Sequence, residues 1–105
     1  MSTQTIAGQE VDVNEEGFMT DPSQWNKEIA AQLAEQINLG ALTDEHWKVI
    51  DFLRADFEEE GETATLRRVS KRSGVPTKDL YRLFPKKPAK KMAYCAGLPK
   101  PHGCI

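Results

Sequence analysis

The sequence predicts a mostly helical α+β domain of about five helices that follows a short N-terminal β-hairpin or ribbon. Two long segments carry apolar residues at helical spacing, and each is preceded by a capping residue and followed by a glycine. Upstream of them, Val11 and Val13 alternate with polar neighbours between glycines 8 and 17, which is typical of short strands and turns. At 105 residues the chain is long enough for one hydrophobic core. We therefore expect a single domain over 1–95, with the ribbon in 1–20 and the helices in 21–95.

The first helix is predicted from "DPSQWNKEIAAQLAEQINLG". Asp21 is a suitable N-cap, Pro22 suits the first helical position, and Gly40 lies just past the end. Its apolar stripe is formed by Trp25, Ile29, Leu33 and Ile37. This stripe predicts one face packed against the core.

The second helix is predicted from "TDEHWKVIDFLRADFEEEG". Thr43 caps it, acidic residues occupy its first turn, and Gly61 ends it. Its buried face is expected to contain Trp47, Ile50, Leu53 and Phe57. The two stripes together should supply most of the core.

Three shorter helices complete the bundle. The third runs through "TATLRRVSKRSG" to Gly74, the fourth covers "TKDLYRLF" up to Pro85, and the fifth covers "PAKKMAYC". The third and fourth form a helix-turn-helix-like segment, with Arg67 and Arg68 among several basic residues around it. Such a pair suggests a DNA-binding regulator, with the fourth helix in the major groove. However, the apolar spacing of "LYRLFP" leaves few outward side chains to read base edges, so direct binding of nucleic acid is the alternative and not the preferred reading.

Charge is distributed unevenly along the chain. Residues 1–62 contain 15 acidic and 3 basic residues, whereas residues 63–105 contain 11 basic residues and one acidic residue, Asp79. Two interpretations remain open: the halves pack together and neutralise each other, or the basic half meets an acidic partner or nucleic acid.

Glycine and proline dominate the C-terminal stretch "CAGLPKPHGCI", which also contains both cysteines of the chain, Cys95 and Cys104. Such a segment cannot be helical and has little to bury, so we predict a flexible arm over 96–105 that reaches about 30 Å when fully extended.

We see no secretory signal and no apolar run that approaches the roughly 18 residues of a membrane span, so we expect a cytoplasmic protein with reduced thiols.

The position of Cys104, next to last in the chain, favours a reactive thiol on a swinging arm. A structural disulfide would close only a short loop and would add little stability. A zinc site would need Cys95, His102, Cys104 and His46 without any CxxC pair, and His46 is more simply a surface or capping residue. We therefore expect no metal and no cofactor.

The tail "LYRLFPKKPAKKMAYCAGLPKPHGCI" resembles the C-terminal signature of the DsrC/TusE family of sulfur-relay proteins. The resemblance extends upstream through "NEEGFM", "DPSQW" and "TDEHWKVIDFLR", so it covers nearly the whole chain. It implies a small orthogonal helical bundle with an N-terminal ribbon and a flexible C-terminal arm.

By this resemblance, Cys104 is the sulfur carrier, and the arm residues that meet a partner are Gly97, Leu98, Pro99, Lys100, Pro101, His102 and Gly103. The basic residues Arg67 and Arg68 are expected to assist docking. The implied partners are a siroheme dissimilatory sulfite reductase or proteins of a Tus-type relay that ends in 2-thiolation of tRNA. The protein would then be a carrier, not a stand-alone catalyst, and a purely regulatory homologue is a further alternative.

The second thiol departs from the family pattern. DsrC members have a second cysteine where this chain has Ala93, and TusE members lack it. Cys95 lies two positions later, where the family usually has an apolar residue. Cys95 is therefore either a resolving thiol at a shifted site or a buried apolar substitute, and the sequence leaves both readings open.

Overall fold

A computed structural model describes residues 2–101 of the chain. The elements, in chain order, are β1 (Ser2–Ile6), β2 (Gln9–Val13), α1 (Lys27–Gln36), α2 (Asp44–Glu60), α3 (Leu66–Ser73), α4 (Thr77–Leu83) and α5 (Pro88–Cys95), with a 3-10 helix at Pro22–Gln24 before α1. The predicted class, mostly helical with five helices after an N-terminal hairpin, is confirmed. No helix within these residues is long and apolar enough to cross a membrane.

The N-terminal ribbon is a two-stranded antiparallel hairpin. Ile6 pairs with Gln9, and the two residues between them, Ala7 and Gly8, both have positive φ, 52° and 77°. Paired positive φ values match the right-handed twist of the strands, which is why a two-residue loop suffices here. The alternating residues Ile6, Val11 and Val13 are buried in one cluster with the face of α1 that includes Ile29 and Leu33. One apolar face of the hairpin is thereby covered.

The helix α1 starts later than the sequence predicted. Asp21 does act as a cap, but of the short 3-10 helix that begins at Pro22. Trp25 is then extended, and the helix proper begins at Lys27, where the side chain of Asn26 accepts a hydrogen bond of 2.9 Å from Ile29 N. Trp25 therefore does not belong to the helical stripe and is free to face another part of the fold.

The helix α2 agrees with its prediction at both ends. Thr43 caps it, and Gly61 ends it in the left-handed conformation, at φ 76°. On its inner face Ile50 and Leu53 are fully buried, whereas Trp47 and Phe57 are only partly buried. This helix forms the centre of the larger core cluster, which includes residues from α3, α4 and α5 together with Leu98 from beyond the last helix.

Candidate functional site

The predicted arm falls into two parts in the structure. Cys104, the predicted carrier, lies outside the described residues, as do His102 and Gly103. Its first part, 96–101, is described and is packed on the domain: Ala96, Leu98 and Pro101 are buried. The expectation that this part has little to bury is therefore wrong, because its burial partners come from distant segments of the chain.

Trp25 holds the beginning of the arm. Its indole Nε1 donates a hydrogen bond of 2.8 Å to the carbonyl of Cys95, the last residue of α5. Gly97 lies directly against the indole, since a Cβ atom built on it would come within 2.8 Å of Trp25 Cγ. Gly97 also has a φ of 69°, a conformation that other residues adopt only at a cost. Both observations explain why glycine is at this position.

Arg54, on α2, also binds this segment. Its Nη1 donates to the carbonyl of Ala96 at 2.6 Å and its Nη2 donates to the carbonyl of Pro22 at 2.9 Å. Its guanidinium lies 4.1 Å from the centre of the Trp25 ring, which is a cation–π arrangement. Burial lowers the pKa of Arg54, and the nearby carboxylates of Glu58 and Asp51 oppose that shift.

Two further contacts continue along the arm. Thr63 Oγ1 donates to the carbonyl of Pro99 at 2.8 Å. Lys100 Nζ lies 3.3 Å from a carboxylate oxygen of Glu16, which also lies 3.8 Å from Lys90 Nζ. The described arm is thus attached to the domain from Ala96 to Lys100.

Cys95 is fully buried in the larger core cluster. Burial raises the pKa of its thiol to about 12, although the nearby Lys91 acts in the opposite direction. At neutral pH the thiolate fraction of such a group is negligible, and the thiolate is the nucleophile in sulfur chemistry. The geometry supports the reading of Cys95 as a buried apolar substitute. Ala93, where the resemblance places the second cysteine of DsrC members, is also fully buried.

The two arginines predicted to assist docking have different environments. Arg67 is exposed. Arg68 instead bonds through Nη2 to Asp56 at 2.6 Å, and that carboxylate is almost completely buried. Arg68 therefore joins α3 to α2, and its charge is already compensated within the domain.

The helix-turn-helix-like segment exists as α3 and α4, with Leu80, Leu83 and Phe84 buried as the sequence predicted. Two of its other arginines are also in ion pairs: Arg72 with Asp56 and Glu60, and Arg82 with Glu45. These pairs leave fewer free guanidinium groups for phosphates or bases than the sequence suggested.

His46 has a structural role that the sequence named only in part. It completes a capping box with Thr43, as expected of a capping residue, but it is buried and not at the surface. Its Nδ1 accepts from Thr43 N at 3.1 Å, so its Nε2 donates to the carbonyl of Leu83 at 2.8 Å. Both ring nitrogens are engaged within the fold. Within residues 2–101 there is no group of three or more His, Cys, Asp or Glu side chains that could hold a metal ion.

Sequence reasoning missed the residues that hold the arm, namely Trp25, Arg54 and Thr63. Trp25 was assigned to the stripe of a helix that in fact begins after it. For Arg54 the sequence offered one weak indication of a special role, because it is one of only three basic residues among residues 1–62. Their contacts with the arm span 36 to 70 positions, a range at which local patterns carry no information.

Comparison with known proteins identifies relatives over the whole chain. Residues 5–105 match the family model described as "DsrC like protein". The chain is 34% identical to the dissimilatory-type sulfite reductase subunit gamma of Nitratidesulfovibrio vulgaris, with 100% of both chains covered. It is 38% identical to the sulfurtransferase TusE of Photorhabdus laumondii, with 93% of this chain and 94% of the relative covered. The NMR structure of Allochromatium vinosum DsrC superimposes with a TM-score of 0.83 at 38% identity, covering 98% of this chain and 97% of that one.

Proposed function

Since the chain belongs to the DsrC-like family of sulfur-relay proteins, we propose that it carries sulfane sulfur on Cys104, its penultimate residue, as a single-thiol carrier. The arm residues 96–101 would set the point from which Cys104 is presented to a partner. Cys95 would take no part in the chemistry.

The observation that supports this proposal most directly is the burial of Cys95. The chain has two cysteines, and one of them is fully buried with a pKa raised to about 12. A resolving thiol must form a thiolate and reach its partner sulfur, and Cys95 is poorly suited to both steps. This favours Cys104 as the thiol that would carry the chemistry.

The reaction follows from thiol exchange chemistry. The Cys104 thiolate attacks the terminal sulfur of a donor persulfide, so that a new S–S bond forms on Cys104 while the donor's S–S bond breaks and the donor leaves as a thiolate. A nucleophile of the acceptor then attacks the terminal sulfur on Cys104, and Cys104 leaves as the thiolate. No net oxidant is required, and no second thiol on this chain is consumed.

The relatives suggest two classes of partner, a dissimilatory sulfite reductase and the proteins of a sulfurtransferase relay. A chain with a single available thiol fits the TusE pattern, in which the second cysteine is missing. We therefore place relay proteins first among the partners and a siroheme sulfite reductase second. A helix-turn-helix regulator or a regulatory homologue remains the alternative function, and neither of these would load sulfur.

Intact-mass spectrometry after incubation with inorganic polysulfide tests the proposal. We expect mass increments of whole sulfur atoms on the wild-type protein and on the Cys95→Ser variant, and none on Cys104→Ser. Loading that persists in Cys104→Ser would overturn the assignment. If instead Cys95→Ser abolished an oxidised form two hydrogen atoms lighter than the reduced protein, the pair would be a working dithiol and the single-thiol reading would be wrong.

A further inference from the structure

A groove of about 520 Å³ opens beside the arm. We call it the lysine groove, and its lining residues are Glu16, Phe18, Ile37, Lys86, Lys87, Lys90, Lys91 and Tyr94. None of the interactions described above involves the groove as a whole. Its composition combines an apolar floor with a strongly basic rim.

The floor is formed by two aromatic rings in fixed positions. Phe18 and Tyr94 meet edge to face, with ring centres 5.7 Å apart and planes at 84°. The hydroxyl of Tyr94 donates to Gln36 Oε1 at 2.9 Å, which holds the ring in place. Tyr94 is only partly buried, so its ring remains accessible from the groove. A floor of this kind favours an apolar side chain from a partner.

The rim carries positive charge that the domain does not compensate. Lys86 and Lys87 are exposed, and neither side chain has an acidic partner within salt-bridge distance among residues 2–101. Lys91 Nζ donates to the carbonyl of Pro85 at 2.5 Å, which leaves its charge unpaired as well. Only Lys90 lies near a carboxylate, that of Glu16. The rim therefore favours a partner that brings negative charge.

The groove borders the arm. Glu16, on the wall of the groove, is the same residue that pairs with Lys100 of the arm at 3.3 Å. From Pro101 to Cys104 the chain has three residues, which span at most about 10 Å. A protein that exchanges sulfur with Cys104 would therefore dock within about 10 Å of Pro101, near the wall of the groove that Glu16 forms.

We propose that the lysine groove binds an acidic segment of the protein that exchanges sulfur with the arm. An apolar side chain of that segment packs against Phe18 and Tyr94, and its carboxylates face Lys86 and Lys87. The identity of the partner as the sulfur-exchanging protein rests on the proposed function, whereas the binding chemistry of the groove does not. A nucleic acid is the other polyanion with apolar faces, and the test below compares it directly with the acidic segment.

The test measures binding of a labelled acidic peptide, acetyl-EDELFEDE-amide, to the full chain by fluorescence anisotropy at low salt. The protein carries Cys104→Ser, so that sulfur chemistry plays no part. Replacing Lys86 and Lys87 together by Glu is expected to weaken binding at least tenfold, about 1.4 kcal/mol. Lys86→Asn with Lys87→Asn should weaken it in the same direction, and asparagine tolerates the positive φ of both positions, 59° and 52°. The matched control replaces Lys71 and Lys78, exposed on α3 and α4, by Glu and should leave binding within twofold.

Three results would overturn the proposal: no binding of the peptide, an equal loss in the Lys71 and Lys78 control, or tighter binding of a single-stranded RNA octamer at the same salt. A peptide with serine in place of its leucine and phenylalanine should bind clearly more weakly, and equal binding would show that the floor is not used. Peptide binding without sulfur loading on the wild-type protein would refute the proposed function alone. Sulfur loading without peptide binding would refute the groove alone.

Discussion

At the scale of single residues, Cys95 shows how burial decides the chemistry of a thiol. The same side chain on an exposed loop would be a nucleophile, but in the core its neutral form is favoured and its pKa rises to about 12. Its carbonyl serves a different purpose, because it accepts the hydrogen bond from the Trp25 indole. The side chain of Cys95 thus packs in the core, and its backbone carbonyl binds the Trp25 indole.

The raised pKa of Cys95 predicts a contribution to stability that disappears at high pH. The folded state holds the thiol proton up to about pH 12, whereas the unfolded state releases it near the ordinary value for cysteine. The contribution is therefore complete below the unfolded pKa and is lost as the pH rises towards 12, by at most about 1.4 kcal/mol per pH unit. The free energy of unfolding, measured by urea titration between pH 8 and about pH 11, should fall more steeply for wild type than for Cys95→Ala. Parallel curves would contradict the assignment, since all other titrating groups are shared.

Gly97 permits a sharp test of the contact with Trp25. Gly97→Ala should destabilise the protein by about 2–4 kcal/mol, because it adds a positive-φ penalty of about 1 kcal/mol to an overlap with the indole. Gly40→Ala is the matched control: its φ is 76°, but nothing lies within 4 Å of the added Cβ. It should cost only about 1 kcal/mol. Equal losses in urea unfolding would show that the indole moves away freely.

At the scale of elements, the sequence predicted a helix end correctly where a single capping residue determines it. Thr43, Gly61 and Gly74 bound their helices as the sequence indicated, because caps and left-handed ends act within a few positions. The start of α1 was not predictable in the same way, since Asp21 and Asn26 are both good caps. What decides between them is the extended conformation of Trp25, which depends on contacts with the distant arm.

The junction between α2 and α3 depends on Asp56, a carboxylate that is 3% exposed and binds both Arg68 and Arg72. Asp56→Asn should therefore lower the free energy of unfolding by about 2 kcal/mol, because it leaves charged donors without their acceptor. Glu45→Gln is the control, since its pair with Arg82 is more than half exposed on both sides and should contribute nothing measurable. Similar effects of the two substitutions in urea unfolding would count against a structural role for the buried carboxylate.

At the scale of the whole molecule, the uneven charge of the sequence is partly resolved within the fold. Among the described residues, six of seven salt bridges join the acidic half to the basic half, and only the pair of Arg82 with Asp79 does not. The two interpretations of the charge pattern are thus compatible: three arginines of α3 and α4 (Arg68, Arg72 and Arg82) form ion pairs within the domain, whereas Lys86 and Lys87 have no acidic partner among the described residues. The sequence could not separate these groups, because each pairing depends on which helices become neighbours.

The attachment of the arm limits how far Cys104 can travel. With 96–100 held by Trp25, Arg54, Thr63 and Glu16, the tether to Cys104 begins near Pro101 and spans about 10 Å instead of the roughly 30 Å expected of a free arm. In the proposed function, the reactive sulfur of a partner would therefore come close to the surface of the domain. The proposed sulfur transfer would therefore depend on docking more than on the length of the arm.

Arg54→Ala should loosen the start of the arm, and with it the contacts of Pro99 and Lys100 further along, because it removes both the hydrogen bond to the Ala96 carbonyl and the contact with the Trp25 ring. The measurement is the distance distribution between two spin labels by pulsed electron paramagnetic resonance. One label is on Cys104 and the other on a cysteine introduced by Lys71→Cys, with and without Arg54→Ala. With Arg54 present, the spread should not exceed about 20 Å, twice the reach of three residues, whereas release of the chain from Ala96 onward gives a reach of about 26 Å and raises that limit to about 52 Å. Arg67→Ala, which removes an exposed arginine on α3, should leave the distribution unchanged. A distribution in Arg54→Ala as narrow as in wild type would show that Trp25 and Thr63 suffice to hold the arm, and that Arg54 serves stability alone.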